Sequence, residues 1–158
     1  MGNNQIKKIL KTNKMTKLSI IIPVFNENKT IAILLSKIQN VKLVNNIKKD
    51  IIIIDDGSTD NTCNIINNYI ENNKELNIRL ISHKENKGKG SAIHSGIRLA
   101  TGEYLIIQDA DLEYDPEEYN VLLNPILKGF ADVVYGSRFK GSKPHRVLFF
   151  WHSIGNKF

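Results

Sequence analysis

Short apolar runs alternate with helix-type patterns along most of this 158-residue chain. Five runs are typical of buried strands, since they are rich in isoleucine, leucine and valine. The alternation predicts right-handed β-α-β crossovers, and therefore an α/β fold with a mostly parallel sheet and helices on both faces. The predicted strands are Leu18–Val24, Asp50–Ile54, Ile78–Ser82, Tyr104–Ile107 and Asp132–Tyr135.

Capping and helix-breaking residues predict where some of these elements end. Pro23 lacks a backbone N–H, so we expect it to end the pairing of the first strand. Asn28 is the candidate N-cap of the first helix. Later helices are predicted from about Ser91 to Ala100 and from Pro116 to about Leu127. The apolar positions of the first helix are Ile31, Ile33, Leu34, Leu35 and Ile38.

Charge is distributed unevenly along the chain. Residues 1–17 contain five lysines and no acid, which leaves a net charge of +1 on the rest of a chain whose total is +6. The folded part is therefore nearly neutral, and a nucleic-acid surface is not predicted. Three regions are expected: a flexible basic extension over 1–17, a core over 18–139, and the start of an interfacial helix over 140–158.

Cysteine usage and hydropathy indicate the compartment. The single cysteine, Cys63, excludes an internal disulfide and fits a reducing environment. No apolar run approaches the roughly 20 residues of a membrane span, and the N-terminus lacks the apolar core of a signal peptide. A cytoplasmic location is therefore predicted.

Carboxylates follow the fourth predicted strand directly, at Asp109 and Asp111. Residues two apart on an extended chain point the same way, so these two side chains can converge on one point. Their mutual repulsion favours a cation between them, and hard oxygen ligands suit Mg²⁺ or Mn²⁺ shared with substrate phosphates. The alternative is a solvated acidic turn that caps the helix beginning at Pro116.

Polar residues also follow three other predicted strands. Because the carboxyl ends of parallel strands lie along one edge of a doubly wound sheet, these residues should converge there. Paired acids, a metal-suited Asp-x-Asp, a glycine-rich loop and an arginine together suit a nucleotide that carries a diphosphate. The four pairs are Asn26/Glu27, Asp55/Asp56, Asp109/Asp111 and Ser137/Arg138.

Other sites fit the sequence less well. Gly88 and Gly90 lack the third glycine of a dinucleotide fingerprint and follow the third strand, not the first. A calcium loop opening at Asp109 would have Tyr114 at its turn glycine. The histidines lack metal-ligand spacing and are predicted to be surface or helix residues: His83, His94, His145 and His152.

Six motifs, in this order and spacing, resemble those of family 2 glycosyltransferases of the GT-A fold, a Rossmann-like α/β fold. The closest resemblance is to the dolichyl- and polyprenyl-phosphate sugar synthases. It covers about residues 16–158. The motifs are Pro23-Val-Phe-Asn-Glu27, Asp55-Asp-Gly-Ser-Thr-Asp60, Asn86-Lys-Gly-Lys-Gly90, Thr101-Gly-Glu-Tyr104, Asp109-Ala-Asp111 and Tyr135-Gly-Ser-Arg-Phe139.

The resemblance implies roles for individual residues. Asp109, Asp111 and Arg138 are the implied catalytic residues, with Arg138 contacting phosphate. Ala110 lies with Asp109 and Asp111 at the metal and donor diphosphate, and Glu113 is a further implied metal ligand. The residues implied to lie along the nucleotide are Pro23, Phe25, Glu27, Ile54, Asp55 and Asp56.

The implied reaction is transfer of a sugar from a GDP- or UDP-linked donor to a polyprenyl phosphate, with inversion. A lipid phosphate acceptor implies peripheral contact at the cytoplasmic face of a membrane, for which the bases before Val147–Trp151 are suited. The resemblance also implies that the chain is C-terminally truncated. Two alternatives stay open: a family 2 transferase acting on a surface polysaccharide or other acceptor, and a nucleotide-binding fragment without turnover.

Overall fold

The computed structural model describes residues 16–136. Four parallel strands form one sheet in the order β3-β2-β1-β4. The strands are β1 (Lys17–Val24), β2 (Lys48–Asp55), β3 (Ile78–Ser82) and β4 (Tyr104–Ile107), and the helices are α1 (Ile31–Asn40), α2 (Thr62–Asn72), α3 (Lys89–Leu99) and α4 (Tyr119–Leu127). Single 3₁₀ turns lie at Val44–Asn46 and Pro116–Glu118.

The chain divides into two compact units, Met1–Asn120 and Val121–Phe158. The first unit contains the whole sheet, α1, α2, α3 and the start of α4. Of the second, the structure describes residues 121–136, which hold the rest of α4 and a stretch without regular secondary structure. None of the helices between residues 16 and 136 is long and apolar enough to cross a membrane.

Isoleucine side chains on the two central strands form the core. Ile20–Ile22 of β1 pair with Ile51–Ile53 of β2, and all six residues are buried. Branched side chains pack well on a pleated surface, and burial on both faces is typical of a parallel sheet. The predicted α/β fold is confirmed, and four of the predicted strands are present.

Helices cover both faces of this sheet. The connections from β1 to β2 and from β2 to β3 run in the same direction across the sheet, so the usual right-handed crossovers place α1 and α2 on one face. These two helices contact each other. The return from β3 to β4 places α3 on the other face, where it packs on β1 and β2. Gly96 allows this close approach, because a Cβ there would lie 2.5 Å from Ile21 Cγ2.

The prediction that Pro23 ends the pairing of β1 was wrong. Pro23 pairs with Ile54, and the ladder continues to Val24 and Asp55. Ile21 accepts its ladder hydrogen bond from Gln108 on the β4 side, so Pro23, two residues on, faces the same side. Because the β4 ladder stops at Ile107, the missing N–H of Pro23 has no strand to bond.

The predicted fifth strand, Asp132–Tyr135, is absent from the structure. Residues 131–136 have no regular secondary structure. Val133 and Tyr135 are 65% and 88% exposed. A strand of four residues needs a partner ladder and a packed face to hold its backbone extended, and the exposed side chains show that this segment lacks the packed face.

The start of the first helix also differs from the prediction. Its N-cap is Thr30, not Asn28, and α1 begins at Ile31. Ile33, predicted to be an apolar core position, is 50% exposed. The other four predicted positions are buried, because they lie on the stripe that faces the sheet: Ile31, Leu34, Leu35 and Ile38.

A buried carboxylate, Asp50, joins the amino ends of four segments. It accepts hydrogen bonds from Ser19 Oγ (3.0 Å), Asn77 Nδ2 (2.8 Å) and Thr101 Oγ1 (3.0 Å). Arg79 completes the set with Nη2 at 2.8 and 2.9 Å from the two oxygens. Burial opposes ionisation of Asp50, but the bonds from Arg79, Ser19 and Thr101 outweigh it and hold the pKa of this carboxyl below its usual value.

We expect Asp50→Asn to lower the free energy of unfolding at pH 7 by about 2–3 kcal/mol, since an amide leaves buried donors without their acceptor. A depressed pKa contributes stability above the unfolded value of about 3.9, and that contribution is lost as pH falls through the folded value. The deficit of the variant should therefore shrink below about pH 4. Urea unfolding followed by circular dichroism between pH 7 and 3 measures both effects.

The matched control is Asp132→Asn, because Asp132 is exposed. It should change stability little at any of these pH values. A deficit of Asp50→Asn that stayed constant across the titration would contradict the assignment of an ionised Asp50.

Candidate functional site

A pocket opens at the carboxyl edge of the sheet, within the first unit. Its volume is about 280 Å³, close to the lower end of the range for small-molecule sites. The lining residues lie at the end of β1, in the segments that follow the four strands, or at the start of α3. They are Pro23, Val24, Phe25, Glu27, Asp56, Asn86, Lys89, Ala92, Asp109, Ala110 and Asp111.

Most of the site residues named from the sequence lie in this pocket. Ile54 and Asp55 are buried in β2 outside the lining, and Glu113 also lies outside it. Arg138 lies outside the described residues. The predicted residues that the structure brings together are Pro23, Phe25, Glu27, Asp56, Asp109, Ala110 and Asp111.

Hydrogen bonds fasten the loop after β1 to the loop after β2. Asn26 has a left-handed backbone (φ 57°), and its Oδ1 accepts from the N–H groups of Thr59 (2.8 Å) and Asp60 (3.3 Å). The N–H of Glu27 donates to Thr62 Oγ1 at 2.9 Å. These bonds join residues more than 30 positions apart in the sequence. The conformation of the loop that carries Glu27 after β1 is therefore set by tertiary contacts.

Asp56 is held by the loop that follows β3. Its Oδ1 lies 2.6 Å from His83 Nδ1 and accepts the N–H of Lys87 at 3.0 Å. Burial opposes ionisation of Asp56, but hydrogen bonds from His83 and from the backbone of Lys87 and Gly88 lower the pKa of this carboxyl. Asp56 therefore presents a fixed, charged carboxylate at the wall of the pocket.

The prediction that His83 is a surface or helix residue was wrong. Its side chain is 12% exposed and lies in the loop after β3. Nε2 lies 3.0 Å from Ser95 Oγ on α3. A neutral imidazole satisfies both contacts by donating from Nδ1 to Asp56 and accepting at Nε2 from the hydroxyl. Histidine spacing in the sequence carries no signal for this role.

Asp55 anchors the loop beneath the pocket. This carboxylate accepts from the N–H of Ser58 at 3.2 Å and from Cys63 Sγ at 2.9 Å. Burial, together with the neighbouring Asp55, raises the pKa of the Cys63 thiol. Cys63 therefore stays a protonated donor that helps to hold Asp55 in place.

Asp109 and Asp111 carry the acidic side of the pocket. Asp109 Oδ1 lies 2.7 Å from the ammonium of Lys89. Asp111 Oδ1 accepts the N–H of Glu113 at 3.0 Å, across a turn in which Leu112 has a left-handed backbone (φ 65°). Counting Glu27 and Asp56, four carboxylates and one ammonium line the pocket, so a diphosphate needs a further cation to enter it.

The donor set fits a divalent cation such as Mg²⁺ or Mn²⁺. Asp109 and Asp111 supply hard oxygens, and the Lys89 ammonium on Asp109 shows that this oxygen attracts a cation. Among residues 16–136, no three His, Cys, Asp or Glu side chains are grouped to hold a metal ion. Mg²⁺ favours a shell of one or two carboxylates that is completed by substrate phosphates and water.

Four lining residues were not assigned by the sequence analysis. Asn86 and Lys89 belong to the glycine-rich motif after β3. The motif indicated a ligand-binding loop, but it did not indicate which of its side chains line the pocket. Val24 and Ala92 line it with apolar atoms. These positions depend on where α3 begins relative to β1 and β4.

An open parallel sheet with an acidic pocket at its carboxyl edge is typical of α/β proteins that bind ligands at that edge. The family model described as glycosyl transferase family 2 matches residues 19–152. The chain therefore belongs to glycosyl transferase family 2, and the resemblance of its motifs is confirmed.

Two curated relatives are similar to the chain. The dolichyl-phosphate β-glucosyltransferase of Dictyostelium discoideum is 37% identical over 129 residues, which are 77% of this chain and 39% of the relative. The dolichol-phosphate mannosyltransferase of Pyrococcus furiosus is 32% identical over 139 residues, or 85% and 37% of the two chains. The chain thus spans less than half the length of either relative.

A solved structure shows the same fold. The mannosyltransferase PcManGT from Pyrobaculum calidifontis, in complex with GDP-Man and Mn²⁺, matches with a TM-score of 0.57 and 26% identity. The match covers 68% of this chain and 33% of PcManGT. The GT-A fold expected from the sequence is therefore confirmed for the sheet and its helices.

Gly57, in the loop after β2, packs closely against the backbone of Glu85 and Asn86 in the loop after β3. Its φ is +76°, and a Cβ there would lie 2.8 Å from Asn86 N and Glu85 C. We expect Gly57→Ala to destabilise the fold by about 1–3 kcal/mol more than Gly88→Ala, because both substitutions strain a positive φ but only the first clashes. Gly88 has a φ of +87° and nothing within 4 Å of the added atom. Thermal unfolding of the two variants measures the difference, and equal losses would contradict the contact.

Proposed function

We propose that this chain is the donor-binding part of a metal-dependent, inverting glycosyltransferase that moves a sugar from a nucleoside-diphosphate donor to a polyprenyl phosphate. The observation that carries the proposal is the convergence of Glu27, Asp56, Asp109 and Asp111 with Lys89 in one pocket at the carboxyl edge of the sheet. Membership of glycosyl transferase family 2 supports the reaction class. The names of the two relatives support the acceptor.

The two sides of the pocket suit the two ends of a nucleotide sugar. On the β1 and β2 side, Phe25 is 44% exposed and offers a face for stacking, while Asp56 offers acceptors for base or ribose donors. On the β4 side, Asp109 and Asp111 would hold the metal ion and, through it, the diphosphate. Pro23, Ile54 and Asp55 would support the nucleotide side. Glu113 is not grouped with Asp109 and Asp111 in this structure, so its side chain would have to move to become an additional ligand.

When bound, the divalent ion would neutralise the charge that develops on the leaving nucleoside diphosphate. The chain's own residues prepare the site for it. The loop contacts of Asn26 and His83 hold the nucleotide side in place before a donor arrives. Phosphate contact by Arg138, a permanent and fork-shaped cation, is also proposed from the sequence.

A phosphate acceptor removes the need to activate the attacking oxygen. One of its oxygens is already anionic at neutral pH, so no general base is required. This oxygen forms the new bond to the anomeric carbon as the bond to the leaving diphosphate breaks, which inverts that carbon. A lipid-linked acceptor requires the pocket to reach a membrane surface, and peripheral membrane contact is proposed with it.

The first test concerns the metal. Nucleotide affinity measured by calorimetry should fall at least about tenfold when EDTA replaces Mn²⁺, since charge-assisted contacts to phosphate are lost. Asp111→Asn should show the same loss while Mn²⁺ is present, because one of the two carboxylates is neutral. Glu117→Gln is the matched control, since Glu117 is exposed and outside the pocket lining. Equal affinity with and without metal would contradict the proposal.

The second test concerns the acceptor. A panel of UDP- and GDP-sugars with Mn²⁺ first identifies the donor by calorimetry. Transfer of its radiolabelled sugar is then measured to a polyprenyl phosphate and, as the matched control, to the corresponding polyprenol. We expect transfer only to the phosphate, because the alcohol needs a base to remove its proton. Transfer to a different acceptor would overturn the lipid phosphate, and donor binding without any transfer would indicate a nucleotide-binding chain.

A further inference from the structure

Lys89 is the pocket residue whose role the proposed function leaves open. It is the first residue of α3, and its Nζ lies 2.7 Å from Asp109 Oδ1. Its side chain is 60% exposed, whereas that of Asp109 is 21% exposed. The exposed ammonium of Lys89 therefore contacts Asp109, the carboxylate that the proposed function assigns to the metal.

We propose that Lys89 is an exchangeable cation of this site, which neutralises Asp109 and passes to a donor phosphate when a divalent ion takes the carboxylate. The proposal rests on the proposed function, because it requires metal and diphosphate to meet at Asp109. It adds a residue that would both compete with the metal and assist the phosphate.

Competition follows from the geometry of the ion pair. A divalent ion binds a carboxylate oxygen at about 2.0–2.2 Å. Since Nζ of Lys89 lies 2.7 Å from Asp109 Oδ1, an ion on the same oxygen would be less than about 5 Å from the ammonium. Two cations this close repel each other, which favours departure of the ammonium when the ion binds. Exposed ion pairs are weak and the lysine stem is flexible, so Lys89 can leave Asp109 without disturbing α3.

The phosphate contact follows from the position of Lys89 at a helix start. Gly88 is the N-cap of α3 and provides no side-chain cap, and the first turn of a helix favours anions. Asn86 and Ala92, on either side of Lys89, also line the pocket. A diphosphate held between Asp109 and the first turn of α3 would lie within reach of the displaced ammonium, which has three donors to offer.

The two roles predict opposite effects of one substitution. Without nucleotide, Lys89→Gln should bind Mn²⁺ about two- to fivefold more tightly than the wild-type chain, because a competing cation is removed. With saturating Mn²⁺, the same variant should bind UDP or GDP about tenfold more weakly, because the ammonium that passes to the phosphate is lost. Lys89→Arg should keep the nucleotide affinity, since it keeps the charge.

Lys87→Gln is the matched control. Lys87 lies two residues before Lys89, in the loop that precedes α3, and is exposed, but Lys87 is not part of the pocket lining. The substitution keeps the backbone N–H that donates to Asp56. Removing this charge should leave both affinities near the wild-type values. A general electrostatic effect would change Lys87→Gln and Lys89→Gln alike and would overturn the specific role of Lys89.

Calorimetric titration with Mn²⁺ alone, and with UDP and GDP at saturating Mn²⁺, gives both measurements without relying on turnover. Unchanged Mn²⁺ affinity in Lys89→Gln, or no Mn²⁺ binding to either protein, would overturn the exchange. Unchanged nucleotide affinity of Lys89→Gln at saturating Mn²⁺ would overturn the phosphate contact. A wild-type chain that binds neither nucleotide with Mn²⁺ would overturn the proposed function, while the Mn²⁺ titration would still decide the competition at Asp109.

Discussion

The parallel register of β1, β2 and β4 is the constraint on which the rest of the structure depends. Val24 lies beside Asp55, and Ile21 lies beside Ile107, so these three strands end at one edge of the sheet. The register is held by isoleucines buried on both faces, and a slip of one residue would turn every side chain to the opposite face. The acidic residues after each strand therefore meet because the core aligns the strands.

The acidic residues at the two edges of the sheet differ in burial and in their hydrogen-bond partners. At the amino edge, Asp50 is fully buried, and its oxygens are satisfied by the protein's own donors. At the carboxyl edge, Asp109 and Asp111 remain accessible, and the ammonium of Lys89 that contacts Asp109 is largely exposed. A carboxylate with a full set of buried donors stabilises a fold, whereas one with exchangeable partners can bind a ligand.

Loop contacts prepare the nucleotide side of the pocket. Asn26, Gly57 and His83 join the loops that follow the first three strands, through hydrogen bonds and one close backbone approach. Such preorganisation reduces the entropy that a ligand must overcome on binding. The chain covers 39% and 37% of its two glycosyltransferase relatives, so its sheet and pocket correspond to one part of those longer proteins.

By itself the sequence determined the α/β fold, four of the strands and the edge at which Glu27, Asp56, Asp109 and Asp111 meet. Apolar runs and chain connectivity are local properties, and they suffice for this. Tertiary structure alone decided the partners of Asp50, the contact of His83 with Asp56, the ion pair of Lys89 with Asp109, the pairing beyond Pro23 and the absence of a strand at 132–135. Each of these depends on register or on packing between residues distant in sequence, for which a local pattern carries no signal.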